Sequence, residues 1–307
     1  MLRRSTKAFW LEGRRLRGYS LSDFIHGYVY TRWPYAYIGT AKGNRKIPKL
    51  LMPFVGAAAW FLLRSSFGRS KQAKRAFADH YHGKVVPTNA AEQLVTLDQP
   101  IELRDLEKII PYTTAKDILL SDPDHIVVLD CPCRVEMETP CLPLDVCLIV
   151  GEPFAAFIRE HHPQQSRVIT QDEAVEILRA EHERGHVHHA FFKDAMLGRF
   201  YAICNCCSCC CGAMQAQRNG TPMLASSGFV ARRTPVACVG CGLCVDACPF
   251  DAITLEEGQV IIDESACMGC GVCVTRCVHD ALELVLDPSK GEPLILSELL
   301  ADARSLN

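Results

Sequence analysis

The chain has 307 residues, 49% of them apolar, and a formal net charge of −2 at pH 7. That length allows about two domains, and that apolar content excludes a wholly disordered chain. Eighteen cysteines in so long a chain exclude the small disulfide scaffold, which staples a short secreted domain. Grouped as C-x-C and C-x2-C, they read as metal ligands in a reducing compartment. The small net charge hides an asymmetry. Residues 1–84 carry 17 Lys/Arg against three acidic residues, Glu12, Asp23 and Asp79, and the rest of the chain is correspondingly acidic. A basic half of this kind points to a membrane or polyanion contact.

Residues 1–84 also hold all three tryptophans, Trp10, Trp33 and Trp60, and a dense group of tyrosines between Tyr28 and Tyr37. Leu50–Leu63 is an uncharged run of 14 residues with Pro53 and Gly56 inside it. A spanning helix needs about 20 apolar residues, so this run fits a helix lying in the membrane interface or docked on a partner. A buried core helix with solvated basic neighbours is the plainer alternative. Arg3 and Arg4 are not followed by an apolar stretch, so no twin-arginine export signal is expected. Gly68–Asn89 is polar and basic and reads as a boundary.

Helices are expected over Glu102–Ile110, stopped by Pro111, and over Thr113–Leu120, stopped by Asp122-Pro123. A strand, Ile126–Asp130, leads into C131-P-C133-R134. Cys141 and Cys147 follow, with an apolar stretch at Val146–Val150, and Glu152–His161 reads as a short helix. Thr170 opens a capping box with Glu173 and a helix that carries Ala174, Ile177 and Leu178. It ends in H182-E-R-G-H186, which has the form of a zinc-hydrolase motif. Gly185 stands where a C-terminal cap is expected, however, so His186 leaves the helix face and starts a strand, V187-H-H-A-F-F192. His188 and His189 then read as strand residues rather than ligands. Phe200–Ile203 is another apolar strand, and it runs into C204-N-C-C-S-C-C-C211, six cysteines in eight residues. Ala213–Arg218 looks helical, Thr221–Arg233 reads as a linker, and Leu296–Arg304 as a last short helix.

Between the linker and that helix the spacing C-x2-C-x2-C-x3-C occurs twice, at Cys238, Cys241, Cys244, Cys248 and at Cys267, Cys270, Cys273, Cys277, offset by 29 residues. Gly240 matches Gly269, Gly242 matches Gly271, and Asp251-Ala252 matches Asp280-Ala281, so the unit is a duplication. Three close cysteines can wrap one cluster from a tight loop, where glycines let backbone amides approach. Over residues 234–285 the chain resembles a bacterial-type two-cluster ferredoxin domain. The resemblance implies two [4Fe–4S] clusters, one on Cys238, Cys241, Cys244 and Cys277, the other on Cys267, Cys270, Cys273 and Cys248. Val278 stands where the first half has Pro249, which shapes only the turn after the ligand.

The other cysteines fall in two groups, each at the end of an expected strand: Cys131, Cys133, Cys141 and Cys147, then Cys204, Cys206, Cys207 and Cys209 with their neighbours. The pattern C-x-C-R with C-N-C-C resembles a group of anaerobe iron–sulfur proteins over residues 125–285. It implies one or two further clusters without fixing their ligands, and a zinc knot or free thiols remain the alternatives. Arg134 is expected to favour the neighbouring thiolates and Asn205 to hydrogen-bond locally.

The expected fold is α+β, with a mainly helical basic attachment region (1–84), a Cys-rich α/β iron–sulfur domain (85–230), a ferredoxin domain (231–290) and a tail (291–307). The expected function is one-electron transfer between redox-protein donor and acceptor, in a cytoplasmic protein held peripherally on the inner membrane face or on a membrane subunit, with no nucleic acid involved. The rival reading is an oxidoreductase whose middle cysteines hold a substrate-reducing cluster or a redox dithiol. Neither a G-x-G-x-x-G fingerprint nor a P-loop is present to bind a nucleotide cofactor.

Overall fold

The computed structural model describes residues 3–43, 70–104, 106–234 and 236–305. The Leu50–Leu63 run and Trp60 lie outside the described residues. The helices are α1 (Arg4–Gly13), α2 (Leu21–Arg32), α3 (Pro34–Ala41), α4 (Lys71–His80), α5 (Thr88–Val95), α6 (Pro132–Val135), α7 (Phe154–His161), α8 (Gln171–Glu183), α9 (Gly212–Arg218), α10 (Leu243–Ala247), α11 (Val272–Thr275) and α12 (Leu296–Ser305). A central sheet has the order β6-β4-β5-β8-β7-β1-β9, made of Ser166–Ile169, Ile126–Asp130, Asp145–Val150, Arg199–Cys206, Val187–Lys193, Tyr81–Val86 and Leu224–Ala225. Its pairings are antiparallel except for β1 with β9. The arrangement is therefore α+β, and the middle region lacks the parallel sheet of an α/β domain. β4, β5, β7 and β8 are buried nearly throughout; β4 and β5 accordingly read as near-continuous apolar runs, whereas β7 and β8 also bury His188, His189, Lys193, Arg199 and Asn205.

The sheet does not respect the expected boundary at residue 84. β1 straddles it and pairs with β7 from Tyr81↔Lys193 to Val86↔His188. The expected Gly68–Asn89 boundary holds α4, β1 and the start of α5. The N-terminal helices pack on the sheet rather than standing apart. Phe9 is fully buried and meets Phe24, Phe154 and Phe157 edge-on, with ring centroids 5.2, 5.4 and 6.1 Å away. Glu12 pairs with the buried Arg199 at the start of β8 at 2.7 Å. Tyr30 hydrogen-bonds Tyr201 of β8 at 2.8 Å. Much of the aromatic content of this region is thus structural.

Two expected helices are absent. Residues 101–103 form β2 (Ile101–Leu103), which pairs with β3 (Ile118–Leu120). Leu106–Ile110 makes one turn, Ile110 N–H to Leu106 O, and goes no further. Ala115 has φ 53°, which no α-helix accommodates. The helix after Thr170 forms as read. The Thr170 hydroxyl accepts the Glu173 N–H, and the far end is a Schellman cap in which Gly185 has φ 86° and His186 N–H reaches Glu181 O.

The expected linker 221–233 is ordered into the structure. β9 joins the central sheet, and β10 (Phe229–Arg233) pairs with β13 (Leu282–Leu286), while β11 (Ile253–Glu256) pairs with β12 (Gln259–Ile262). The 29-residue offset relates β10, α10 and β11 to β12, α11 and β13. Each two-stranded sheet thus joins the first strand of one half to the last strand of the other. The tail is also held: α12 packs on α5, and Leu296 N–H donates to Gln93 Oε1 at 3.2 Å.

Lys193 is buried where these layers meet. Its ammonium lies 4.9, 5.7 and 4.5 Å from the ring centres of Tyr30, Tyr37 and Tyr81. Burial lowers its pKa to about 8, against the opposing pull of Asp194. Burial also raises the pKa of Tyr30 and Tyr37 above 10.0. Between pH 8 and 10.5 the unfolded chain therefore binds more protons at Lys193 than the native one, and unfolding grows costlier as pH rises through that window. The tyrosines reverse the trend above pH 10.0, where the unfolded chain ionises first. Denaturant unfolding followed from pH 7 to 11 should show stability rising and then falling. Lys193→Met should reduce the rise to the part carried by the buried Lys84, whose pKa burial likewise lowers to about 8, and keep the fall.

Candidate metal centres

The duplicated unit forms two cavities. One is lined by Cys238, Cys241, Cys244 and Cys277. The other is lined by Cys248, Cys267, Cys270 and Cys273. Each takes three cysteines from one half and one from the other, as the crossed strands require. The backbone repeats with the sequence: Gly242 and Gly271 have φ 81° and 83°, and Asp251 and Asp280 have φ 55° and 51°. Gly240 and Gly269 cannot be larger, since a Cβ would stand 2.1 and 2.2 Å from the carbonyl oxygens of Gly258 and Phe229. Backbone amides aim at sulfur: Ala252 N–H to Cys248 Sγ and Ala281 N–H to Cys277 Sγ at 3.3 Å, Ala231 N–H to Cys267 Sγ at 3.4 Å. Burial pushes the Cys244, Cys248 and Cys270 thiols up, and Cys273 to about 12. A thiolate is therefore costly in these cavities until a cation compensates it, and metal uptake releases protons. Four thiols, space and amide donors together fit an iron–sulfur cluster in each cavity.

The inner cavity faces the central sheet. Cys270 belongs to the main core, and Met268 and Phe250 pack on it. Ser227 Oγ donates to Gly269 O at 2.8 Å, and His182 Nε2 meets Thr275 Oγ1 at 2.7 Å. His182, the first histidine of H-E-x-x-H, thus docks α8 on α11. His186 Nδ1 lies 2.7 Å from Glu181 Oε2. The two histidines serve different contacts and form no shared site.

The remaining ten cysteines separate into two sets that differ in depth and spacing. Cys131, Cys133, Cys147, Cys204, Cys206 and Cys211 form an inner network. Cys147 pairs with Cys204 across β5 and β8, and Cys211 Sγ lies 3.1 Å from Cys206 Sγ. Cys131 interacts with both Cys133 and Cys147, and Cys133 with Cys211. These partners hold the Cys133 thiol well below its usual range, helped by the Gly212 N–H at 3.5 Å and the nearby Lys42 ammonium. Cys211 similarly brings Cys206 to about 6 against the effect of burial. Cys131 is pushed up instead, by Cys133, Cys147 and burial.

Cys141, Cys207, Cys209 and Cys210 form an outer set whose sulfurs all lie within 4.8 Å of one another, with Cys141 and Cys209 3.1 Å apart. A single tetrahedral ion with bonds near 2.3 Å holds thiolates about 3.8 Å apart. A cubane spreads its thiolates over four irons and holds them farther apart. The outer set is thus spaced to hold one thiophilic ion.

Arg134 holds the two loops together. Its Nη2 donates to Glu181 Oε2 at 2.5 Å and to Asn205 O at 3.0 Å, and its Nη1 donates to Pro143 O. Both charged side chains are 1% exposed. Burial works against the Glu181 carboxylate, but His186 and Arg134 outweigh it and keep its pKa low. The guanidinium is thus committed to Glu181, and Lys42 is the cation at Cys133. Lys42 Nζ also donates to Cys133 O at 3.1 Å and Cys210 O at 2.8 Å. Asn205 bonds across strands rather than locally, its Oδ1 to His188 Nδ1 at 2.6 Å and its Nδ2 to Val146 O at 2.8 Å. Lys42, Cys210 and Cys211 are not in the sequence-derived site. Cys210 and Cys211 were marked by the density of the cysteine run, whereas Lys42 carried no local signal.

Residues 237–281 match the family model described as a 4Fe-4S dicluster domain. Neither a curated protein nor a solved structure matches the chain. The dicluster domain and the cysteine groups together point to iron–sulfur electron transfer.

Anaerobic protein that keeps its dicluster iron should take up one Co²⁺ at the outer set, with the absorption of a tetrahedral tetrathiolate. Cys209→Ser should weaken that uptake at least tenfold and leave the dicluster domain's iron unchanged. Equal uptake by Cys209→Ser would remove the outer set as a metal site.

Proposed function

We propose that the protein carries single electrons through two [4Fe–4S] clusters in the duplicated unit and onward to a centre in the middle domain. The observation that carries this reading is the pair of cavities, each lined by three cysteines of one half and one of the other. Cys238, Cys241, Cys244 and Cys277 would hold one cluster, and Cys267, Cys270, Cys273 and Cys248 the second. Such a cluster supplies a one-electron couple when bound. The chain's part is to bury it, to direct amide hydrogen bonds at its thiolates and to bring it near the next centre.

The order of the relay follows from burial. The outer cavity is bordered by Cys241 and by the exposed apolar residues Val239 and Leu243, which offer a redox partner a low-polarity approach. The inner cavity lies against the central domain, on whose core Cys270, Met268 and Phe250 pack. Arg218 connects the two regions, donating to Ser208 O at 2.9 Å beside the outer cysteine set and to Pro249 O at 3.1 Å beside Cys248. A further iron–sulfur cluster would draw thiolates from both middle groups, with Cys133 and Cys206 as its most readily ionised donors.

Residues 1–84 would attach the protein to the cytoplasmic face of the membrane or to a membrane subunit. Among the described residues no helix is long and apolar enough to cross a membrane. Support for surface attachment comes from Leu11, Leu21, Ile25 and Trp33, which stay exposed beside Arg14, Arg15 and Arg17. The oxidoreductase reading is favoured by one observation, the 3.1 Å approach of Cys141 and Cys209, which would suit a redox dithiol. Turnover of a disulfide or quinone substrate would decide for it.

Reduced anaerobic protein should give the interacting electron paramagnetic resonance (EPR) signals of two [4Fe–4S]⁺ clusters. Cys241→Ala should lose one of them, because one iron then lacks its protein thiolate. Retention of both intact clusters would contradict the ligand assignment. The full chain should also float with vesicles rich in anionic lipid and be released partly by salt, which screens the basic residues but not apolar insertion. Absence of binding to either vesicles or a membrane subunit would remove the attachment claim.

A further inference from the structure

The inner thiol network contains a donor that is not sulfur. His189 is 0% exposed, and neither of its ring nitrogens has a hydrogen-bond partner. Leaving a buried polar atom unpaired is costly, and this imidazole leaves two. The other histidines with an unpaired buried nitrogen, His82, His161 and His182, each satisfy the second one, with Ala78 O, Thr6 Oγ1 and Thr275 Oγ1. Its neighbour His188 is fully engaged by Asn205 and Thr88. Among the described residues, His189 alone combines complete burial with two ring nitrogens that both lack a partner in hydrogen-bond geometry, and the group its imidazole acts on is the Cys206 thiol.

The strand register says what it faces. His189 of β7 stands opposite Cys204 of β8, and Cys204 stands opposite Cys147 of β5. Directly paired residues share a face of the sheet, and so do residues two apart along a strand. Cys147, Cys204, Cys206 and His189 therefore project from one face, while His188 and Asn205 project from the other. Cys206 extends that face to Cys211, whose sulfur is 3.1 Å away, and Cys211 in turn interacts with Cys133. The imidazole also contributes to lowering the Cys206 pKa, after the larger effect of Cys211. An unpaired imidazole beside paired thiols is a mixed nitrogen–sulfur donor set.

We propose that one ring nitrogen of His189 coordinates iron in a cluster seated on the inner thiols, beside Cys206. The inference rests on the reading that the middle domain holds a cluster. It adds a ligand that the cysteine motifs do not contain, and it has a functional consequence. A neutral imidazole in place of an anionic thiolate leaves a cluster less negative, and replacing Cys by His raises the reduction potential. The middle centre would then be more oxidising than the all-cysteine clusters of the duplicated unit, and electrons entering at the exposed cavity would run inward.

The test uses the full chain, purified anaerobically with natural-abundance or ¹⁵N-labelled histidine. Pulsed EPR of the middle-centre signal should show a directly coordinated nitrogen whose coupling changes with the isotope. His189→Cys should lose that coupling, keep its iron and shift the midpoint potential of the middle centre to more negative values, with the dicluster signals unchanged. Iron clearly above the dicluster domain's about eight per chain, with no coordinated nitrogen in the unmodified protein, would overturn the His189 assignment alone. So would a nitrogen coupling that survives in His189→Cys. Iron that stays near about eight per chain would overturn the middle-domain cluster and the His189 ligand with it. Should His189→Cys fail to fold, His189→Ala takes its place, and loss or survival of the isotope-sensitive coupling in it decides the matter.

Discussion

The buried pair of Arg134 and Glu181 is the contact on which the middle domain depends. Arg134 follows the C131-P-C133 loop, and its guanidinium binds helix α8 through Glu181, the loop before β5 through Pro143 O, and β8 through Asn205 O. The last two of these segments carry cysteines of the two groups. Removing one partner from such a pair costs about 3–5 kcal/mol, because a buried charge is left behind. A domain's whole stability is about 5–15 kcal/mol, so the loss would be a large share of it. The pair is therefore better understood as fixing where the thiols stand than as adding net stability.

The duplicated unit solves a different problem. Each half supplies three cysteines in a tight loop and cannot close its own cavity. The crossed pairings of β10 with β13 and β11 with β12 bring the fourth cysteine from the other half. Neither cavity is complete without both halves, so the two sites and the two small sheets form as one cooperative unit. That unit docks by its inner side, through Gly269, Thr275 and Pro249, which leaves one cavity bordered by exposed apolar residues and the other against the central sheet.

The parts of this structure that were legible in the sequence are those with local signals. The 29-residue repeat, the Thr170 cap with Gly185 as its stop, and the apolar strands around Cys131, Cys147 and Cys204 all fall within short windows. The parts that were not legible depend on distant partners. Phe229–Arg233 looks like linker because its two arginines carry no strand pattern, and its partner β13 lies some fifty residues on. Tyr81–Val86 was hidden by the polar His82 and Lys84, both buried at the centre of the fold. The cysteine run C204–C211 gives no local sign that it serves two sites. The division arises because Cys204 and Cys206 still belong to β8, whereas Cys207, Cys209 and Cys210 follow its end and meet Cys141. His189 was set aside as a strand residue, and its lack of partners is visible only once the strands are in register.

The central claim is that iron–sulfur chemistry extends beyond the duplicated unit into the middle domain. Mössbauer spectroscopy of ⁵⁷Fe-enriched, anaerobically purified protein tests it most directly, because it counts iron by chemical environment. The account predicts cluster iron in excess of the dicluster domain's about eight atoms, with the excess component lost in the Cys133→Ser/Cys206→Ser variant and the remainder unchanged. A spectrum fully described by about eight cubane irons per chain, identical in the variant, would contradict it.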